Sequence, residues 1–365
     1  MNKNVLPRSL FIAAAAVLCI GSAHAEDNNF IQTNLVSDLS GVAALTDLAL
    51  KNPWGISHSP TSPFWSSNQG TSTATLYAVT NKTTVAKVNI NPPAGNVLIP
   101  TTATGPQGPT GQVNSTSTTS FPVNNGGDGK PAHFIFANLN GTISAWDTGP
   151  TAFVQVTTPG AVYTGLAING AQTRLYAAKA GGIDVFDVSF APVNLGPGAF
   201  VNPELRAGLA PFNVRNISGD IFVAYAPVGR LNQIHATRGA GAIAIFDEDG
   251  NFIKQVIAGD HLAAPWGMAL APPSFGKFGN HLLVGNFSFD HSEINGFELP
   301  NGNFRGTIHI NTAGFPAGGL WSLDFGVGGN NGDPDTLYFT DGINGEVDGL
   351  FGAISHRRGP PGTDY

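Results

Sequence analysis

The sequence writes nearly the same phrase twice, NPWGIS at 52–57 and APWGMAL at 264–270. Pro, Trp and Gly recurring in that order more than two hundred residues apart mark one structural unit used repeatedly, which restricts the chain to repeat architectures. Six strand-like runs align with this unit: LYAVT at 76, FIFAN at 134, LYAAK at 175, IFVAY at 221, LLVGN at 282 and LYFTD at 337. Three of them lead into a second strand that ends in an aromatic and an aspartate: GTISAWD (141–147), GIDVFD (182–187) and AIAIFD (242–247). A third apolar run precedes most copies: NPWGIS, VYTGLAI (162–168), PFNVRNI (211–217), APWGMAL and GLWSLDF (319–325). For the copy at Phe134 the candidate is SFPV at 120–123, and FVQVT (153–157), FIKQVIA (252–258) and FRGTIHI (304–310) supply fourth strands. No long window carries apolar residues at helical spacing, and the short β-branched or aromatic runs are separated by Gly, Pro and Asn. Units of four strands at intervals of 41 to 61 residues predict an all-β fold, a six-bladed β-propeller of four-stranded antiparallel blades.

A four-stranded blade cannot bury both apolar faces alone, and stacking around a closed ring covers them. Trp54, Trp266 and Trp321 are then expected as wedges between blades at equivalent places. Closure requires one blade built from both ends of the chain. FIQTNLVS (30–37) has no repeat of its own and GEVDGLFGAI (345–354) ends one strand short, so the two are expected to pair. On this reading residues 26–355 form a single domain and 356–365 a frayed, disordered tail.

The N-terminus has the make-up of an export signal: Lys3 and Arg8 precede an apolar run from Leu10 to Ile20, followed by Ala23-His24-Ala25. The run is shorter than the roughly 20 residues a membrane span needs. Cleavage after Ala25 removes the only cysteine, Cys19, and leaves 340 of the 365 residues. Disulfides, a thiol nucleophile and thiolate zinc sites are thereby excluded from the mature chain. Without Lys3 and Arg8 the 17 basic residues become 15 against 24 acidic, a formal charge of −9. With no basic cluster interleaved with aromatics, nucleic acid is not an expected partner. The expectation is an exported protein, periplasmic or secreted, with no membrane span after signal cleavage.

The segment FDEDGNFIKQVIAGDHLAAPWGMAL, with NPWGIS and LYFTDGINGEVDGLFG, resembles the NHL-type propeller repeat. Most of the chain beyond the leader resembles a family of uncharacterised, exported bacterial six-bladed propellers, some of which end in a PEP-CTERM sorting tail. This sequence shows no such tail. The resemblance implies fold and export and brings no reaction or catalytic residue with it.

Familiar catalytic signatures are missing: no GxSxG, HExxH, GxxxxGK or GxGxxG. DEDGN at 247–251 reads as a tight Asp-Gly turn rather than a calcium loop. The repeat alignment places Thr80, Asn138, Lys179, Tyr225, Asn286 and Asp341 at one equivalent position, ringing one mouth of the channel. Strand ends turn polar in any case, since Asn and Asp favour the turns that follow. The functional reading is that Asn138, Asn286 and Asp341 converge on a hard cation such as calcium, while Lys179 and Tyr225 hold or polarise a ligand. This arrangement is similar to the metal site of lactonase and gluconolactonase propellers, and the resemblance implies a cation polarising a lactone or ester carbonyl. Those enzymes also use a glutamate from an innermost strand, and none stands near NPWGIS, VYTGLAI or GLWSLDF.

The insertion APVGRLNQIHATRGAG (226–241) brings Arg230, His235 and Arg238 over the same mouth, a positive patch suited to an anionic ligand. The loop NFSFDHSEINGF (286–297) adds Asp290, His291 and Glu293. Two functions remain open. One is a noncatalytic exported binding module for a small polar or glycan-like ligand or a protein partner, using the channel mouth or rim. The other is a calcium-assisted hydrolase or lyase of the lactonase type.

Overall fold

A computed structural model describes residues 29–101 and 105–357. The expected leader and residues 358–365 of the expected tail lie outside the described residues. Six sheets form a β-propeller whose innermost strands are Pro53–Ser57, Pro109–Asn114, Gly165–Ile168, Leu209–Ile217, Pro265–Leu270 and Gly319–Phe325, in blades one to six. Each touches the next, and the last touches the first, so the ring is closed. Blades follow a four-stranded antiparallel plan. In blade three the fourth position falls to an irregular segment, where Val193 N donates to Val185 O at 2.8 Å.

The period-two pattern explains the stacking. In Thr336–Gly342, Leu337 and Phe339 pack toward blade five with Leu283 and Ile294, whereas Tyr338 packs toward blade one with Phe64 and Tyr77. Among the described residues, six apolar clusters each bridge one pair of neighbouring blades, and a seventh sits on the axis. Burial between blades therefore holds the ring together.

Closure occurs as expected. Phe30–Ser37 is the fourth strand of blade six, antiparallel to Leu350–His356, from Phe30 opposite His356 to Ser37 opposite Leu350. Leu35 and Val36 on it are fully buried. Ser37 Oγ donates to Gly349 O, and Gly349 N to Asp38 Oδ1, each at 2.8 Å. Arg357 N reaches Asn29 O at 2.7 Å, so the first two residues of the expected tail belong to the sheet edge.

Two strand assignments differ from the sequence reading. In blade one the second strand is Phe64–Asn68, and LYAVT lies in the third, Thr73–Thr80. The serine-rich FWSSN carries a weaker strand signal than LYAVT, so the alignment slipped by one strand. The innermost strand of blade two is Pro109–Asn114, in GPTGQVN, not SFPV; Pro122 forms only an isolated bridge with Pro131.

The repeated phrase now has a structural meaning. Pro53, Pro109 and Pro265 pair with Asn68, Asn138 and Asn286, and a bulge follows at once. The bulge turns Trp54 and Trp266 toward the axis, where they join Phe212 and Trp321. A Cβ on Gly55 would stand 2.7 Å from Thr110 O, and one on Gly267 2.3 Å from Trp321 O. Glycine is required there because the neighbouring innermost strand passes at backbone distance.

Candidate functional site

The proximal mouth is the face on which the innermost strands begin. Five of the six expected positions are equivalent: Asn138, Lys179, Tyr225, Asn286 and Asp341 lie at or within two residues of the end of the second strands of blades two to six. Thr80 is not among them. It is exposed at the turn after the third strand of blade one, and Asn68 holds the equivalent place.

Most of these side chains are engaged in local structure. Asn68 Nδ2 donates to Thr75 Oγ1 at 2.9 Å. Asn138 Nδ2 lies 3.3 Å from both Thr142 O and Ser144 Oγ, with its buried Oδ1 unpartnered. Lys179 Nζ is paired with Asp184 at 2.7 Å. Tyr225 is buried with no partner for its hydroxyl, and burial pushes its titration well above the usual phenol range. Asn286 accepts from Ala263 N and donates to His261 O, each at 3.0 Å. Asp341 is fully buried with neither oxygen bonded, and burial followed by the charge of Glu346 raises its carboxyl to about 7.

The three tryptophans are not interblade wedges; they meet on the axis. Trp54 and Trp321 stack at 3.5 Å and 19°, and Trp266 stands edge-on 5.5 Å from Trp321. Trp321 Nε1 donates to Asn52 Oδ1, and Trp266 Nε1 to Thr164 O, both at 2.9 Å. Aromatic rings thus fill the channel between opposing blades. Asn286 has spent both ends of its amide on backbone, and among the described residues no three His, Cys, Asp or Glu are grouped for a metal. Asn286 therefore has no spare amide end for a cation, while Asn138 Oδ1 and both Asp341 oxygens are unpartnered.

Over the plug lies the insertion of blade four, with the five-residue helix Arg230–Ile234. Its basic side chains are matched one by one. Arg230 pairs with Glu346, His235 Nδ1 lies 3.4 Å from Asp290, and Arg238 reaches both Glu293 oxygens at 3.0 Å. Phe289 N and Ser288 Oγ donate to Ile234 O and Ala236 O at 2.9 and 2.7 Å. The segment is a strap fastened to blades five and six, and the expected anion-binding patch is internally neutralised.

The distal mouth, where the innermost strands end, is open. A pocket of about 200 Å³ is lined by Ser57, His58, Gln112, Arg215, Asn216 and Asp324 among others. Ser57, Arg215 and Asp324 hold the same register position in blades one, four and six. Arg215 Nη2 binds Asp324 Oδ1 at 2.7 Å and Nη1 binds Leu323 O at 3.1 Å. His58 Nε2 faces Phe325 O at 3.2 Å and stands 3.9 Å from Asp324. Gln112 Nε2 donates to two carbonyls, Gly55 O at 2.7 Å and Trp65 O at 2.8 Å, which fixes the amide so that Oε1 is left over. Three buried polar atoms here have no partner: Gln112 Oε1, Ser57 Oγ and Asn216 Nδ2. Buried polar atoms are ordinarily satisfied, and both mouths depart from this: Asn138 Oδ1, Tyr225 OH and both Asp341 oxygens are unpartnered on the proximal side. The sequence signal for the pocket was Gln, Arg and Asp interrupting otherwise apolar innermost strands.

No protein-family model matches the chain. Two uncharacterised proteins of Acanthamoeba polyphaga mimivirus are similar to it: one is 29% identical over 335 residues, covering 88% of this chain and 78% of its own. The other is 28% identical over 342 residues, covering 88% and 84%. These relatives are viral, whereas the repeat resemblance points to bacterial proteins. Among solved structures, a Bacteroides thetaiotaomicron protein of unknown function superposes with a TM-score of 0.52 at 9% identity, covering 89% of this chain and 76% of that one. Hydrazine synthase from Kuenenia stuttgartiensis gives 0.50 at 14% identity, covering 82% and 76%. At such identities the likeness concerns the fold alone.

Proposed function

We propose that the protein is a noncatalytic binding propeller whose ligand is a small neutral polyhydroxylated molecule, seated in the axial pocket of the distal mouth. The observation that carries this is an open pocket whose lining residues Gln112, Ser57 and Asn216 each hold one buried polar atom without a partner in the chain: an amide oxygen, a hydroxyl and an amide nitrogen. The mixture of acceptors and donors suits hydroxyl groups, which do both. Arg215 and Asp324 cancel each other's charge, so the pocket offers an ionic ligand no net attraction. Export belongs to the same proposal and rests on the leader and the cysteine-free remainder. The hydrolase alternative needs Asn138, Asn286 and Asp341 around one cation, and Asn286 already spends both ends of its amide on backbone.

A thermal-shift panel of neutral sugars and polyols, set against the matching uronates, tests the proposal. A ligand at 100 times its dissociation constant stabilises the fold by about 2.7 kcal/mol. At least one neutral compound is expected to raise the melting temperature while its uronate does not. Ser57→Ala, which removes an unpartnered hydroxyl, is expected to weaken binding by about 3- to 10-fold. No shift with any neutral compound, or shifts unaltered in Ser57→Ala and Asp324→Asn, contradicts the assignment.

A further inference from the structure

The distal face carries a second hollow, a cleft of about 820 Å³ between blades one and two. Its floor is aromatic: half-buried Trp146 lies 4.8 Å from Trp65, which stacks on Phe134 at 4.0 Å and 20°. Trp146 is oriented by Nε1 donating to Gly149 O at 2.8 Å. The walls are hydroxylic, with Ser59 and Ser62 from blade one and Ser115 and Thr116 from blade two. The cation at the rim, Lys130, is paired with Asp128. Asn114 lines both this cleft and the axial pocket, so the two hollows adjoin.

We propose that the cleft is a second subsite and that the ligand is a neutral oligosaccharide, one unit in the axial pocket and the next against Trp146. This rests on the axial-pocket reading above and extends it from a single polyol to a chain. A pyranose ring has an apolar C–H face and a rim of hydroxyls, the complement of an aromatic floor with hydroxyl walls. At about four times the axial volume, the cleft admits more than one ring. A formal net charge of −7 opposes anionic chains.

The test is calorimetry and ligand-observed NMR with malto-, cello-, xylo- and chito-oligosaccharides of one to six units. In at least one series, affinity is expected to rise tenfold or more between one and three units. Trp146→Leu, which keeps apolar bulk without the aromatic face, flattens that ladder, and Trp146→Ala does the same if it folds. Ser57→Ala weakens every length alike. A ladder with no dependence on length, or one unchanged in Trp146→Leu, overturns the second subsite and leaves the axial pocket standing. Affinities that Ser57→Ala leaves unaltered at every length, with the ladder still lost in Trp146→Leu, overturn the axial reading and the two-site chain with it. No binding at any length in any series overturns both.

Discussion

Asp341 occupies the position at which blades two and five carry Asn138 and Asn286, yet it is an acid with no partner for either oxygen. Burial, and then the charge of Glu346, brings its carboxyl to about 7, while the unfolded chain titrates near 3.8. Between those values the folded protein holds a proton that the unfolded chain has released. Stability on this account falls as pH rises from about 4 to 7 and is level above. A shift of about three units corresponds to at most about 4 kcal/mol. Asp341→Asn is therefore expected to melt several degrees above the wild type at pH 8, with the gap closing by pH 4.5 and calcium shifting neither protein. A lower melting temperature at pH 8, together with a calcium response that the variant loses, contradicts this and restores the cation reading. The strand positions of five of these six polar residues were legible in the repeats. Thr80 was misplaced because Phe64–Asn68 hides a strand behind two serines. Burial of Asp341 and the pairing of Arg230 with Glu346 depend on contacts over a hundred residues apart, which no local pattern encodes.

At the level of elements, the innermost strands of blades one, two and five begin with the same device. Proline pairs with the end of the second strand, a bulge swings one side chain to the axis, and glycine admits the next blade. GPTG in blade two uses this device with Thr110 in place of tryptophan, and Thr110 Oγ1 donates to Tyr163 O at 2.9 Å instead. The loss of the aromatic is why GPTGQVN escaped recognition. The closing strand was legible for the opposite reason, being an unpaired apolar run at each end of a chain whose other runs were all used. Its two buried apolar side chains, Leu35 and Val36, make it indispensable, because removing a single buried leucine typically costs 2–5 kcal/mol. A chain beginning at residue 38 is expected to lose cooperative melting, and a synthetic peptide of residues 29–37 to restore it in trans. Unaltered melting of the truncated chain contradicts strand closure.

Across the whole molecule the two mouths are built differently. The proximal mouth is shut by Trp54, Trp266 and Trp321 and strapped over by charge pairs between blades. The distal mouth is open and lined by polar side chains. Periodicity alone favoured the proximal mouth, because the repeat alignment shows where second strands end and says nothing about which way side chains turn. The distal pocket takes its residues from positions that differ between blades, so averaging over repeats erased it. The central claim is that ligand enters at the distal mouth. Hydrogen–deuterium exchange, with and without the tightest-binding neutral saccharide, tests it most directly. Protection is predicted at residues 55–58, 112–115, 214–217 and 323–325, where the innermost strands end. Protection confined to the strap at 229–241 and the loop at 287–292 would contradict it.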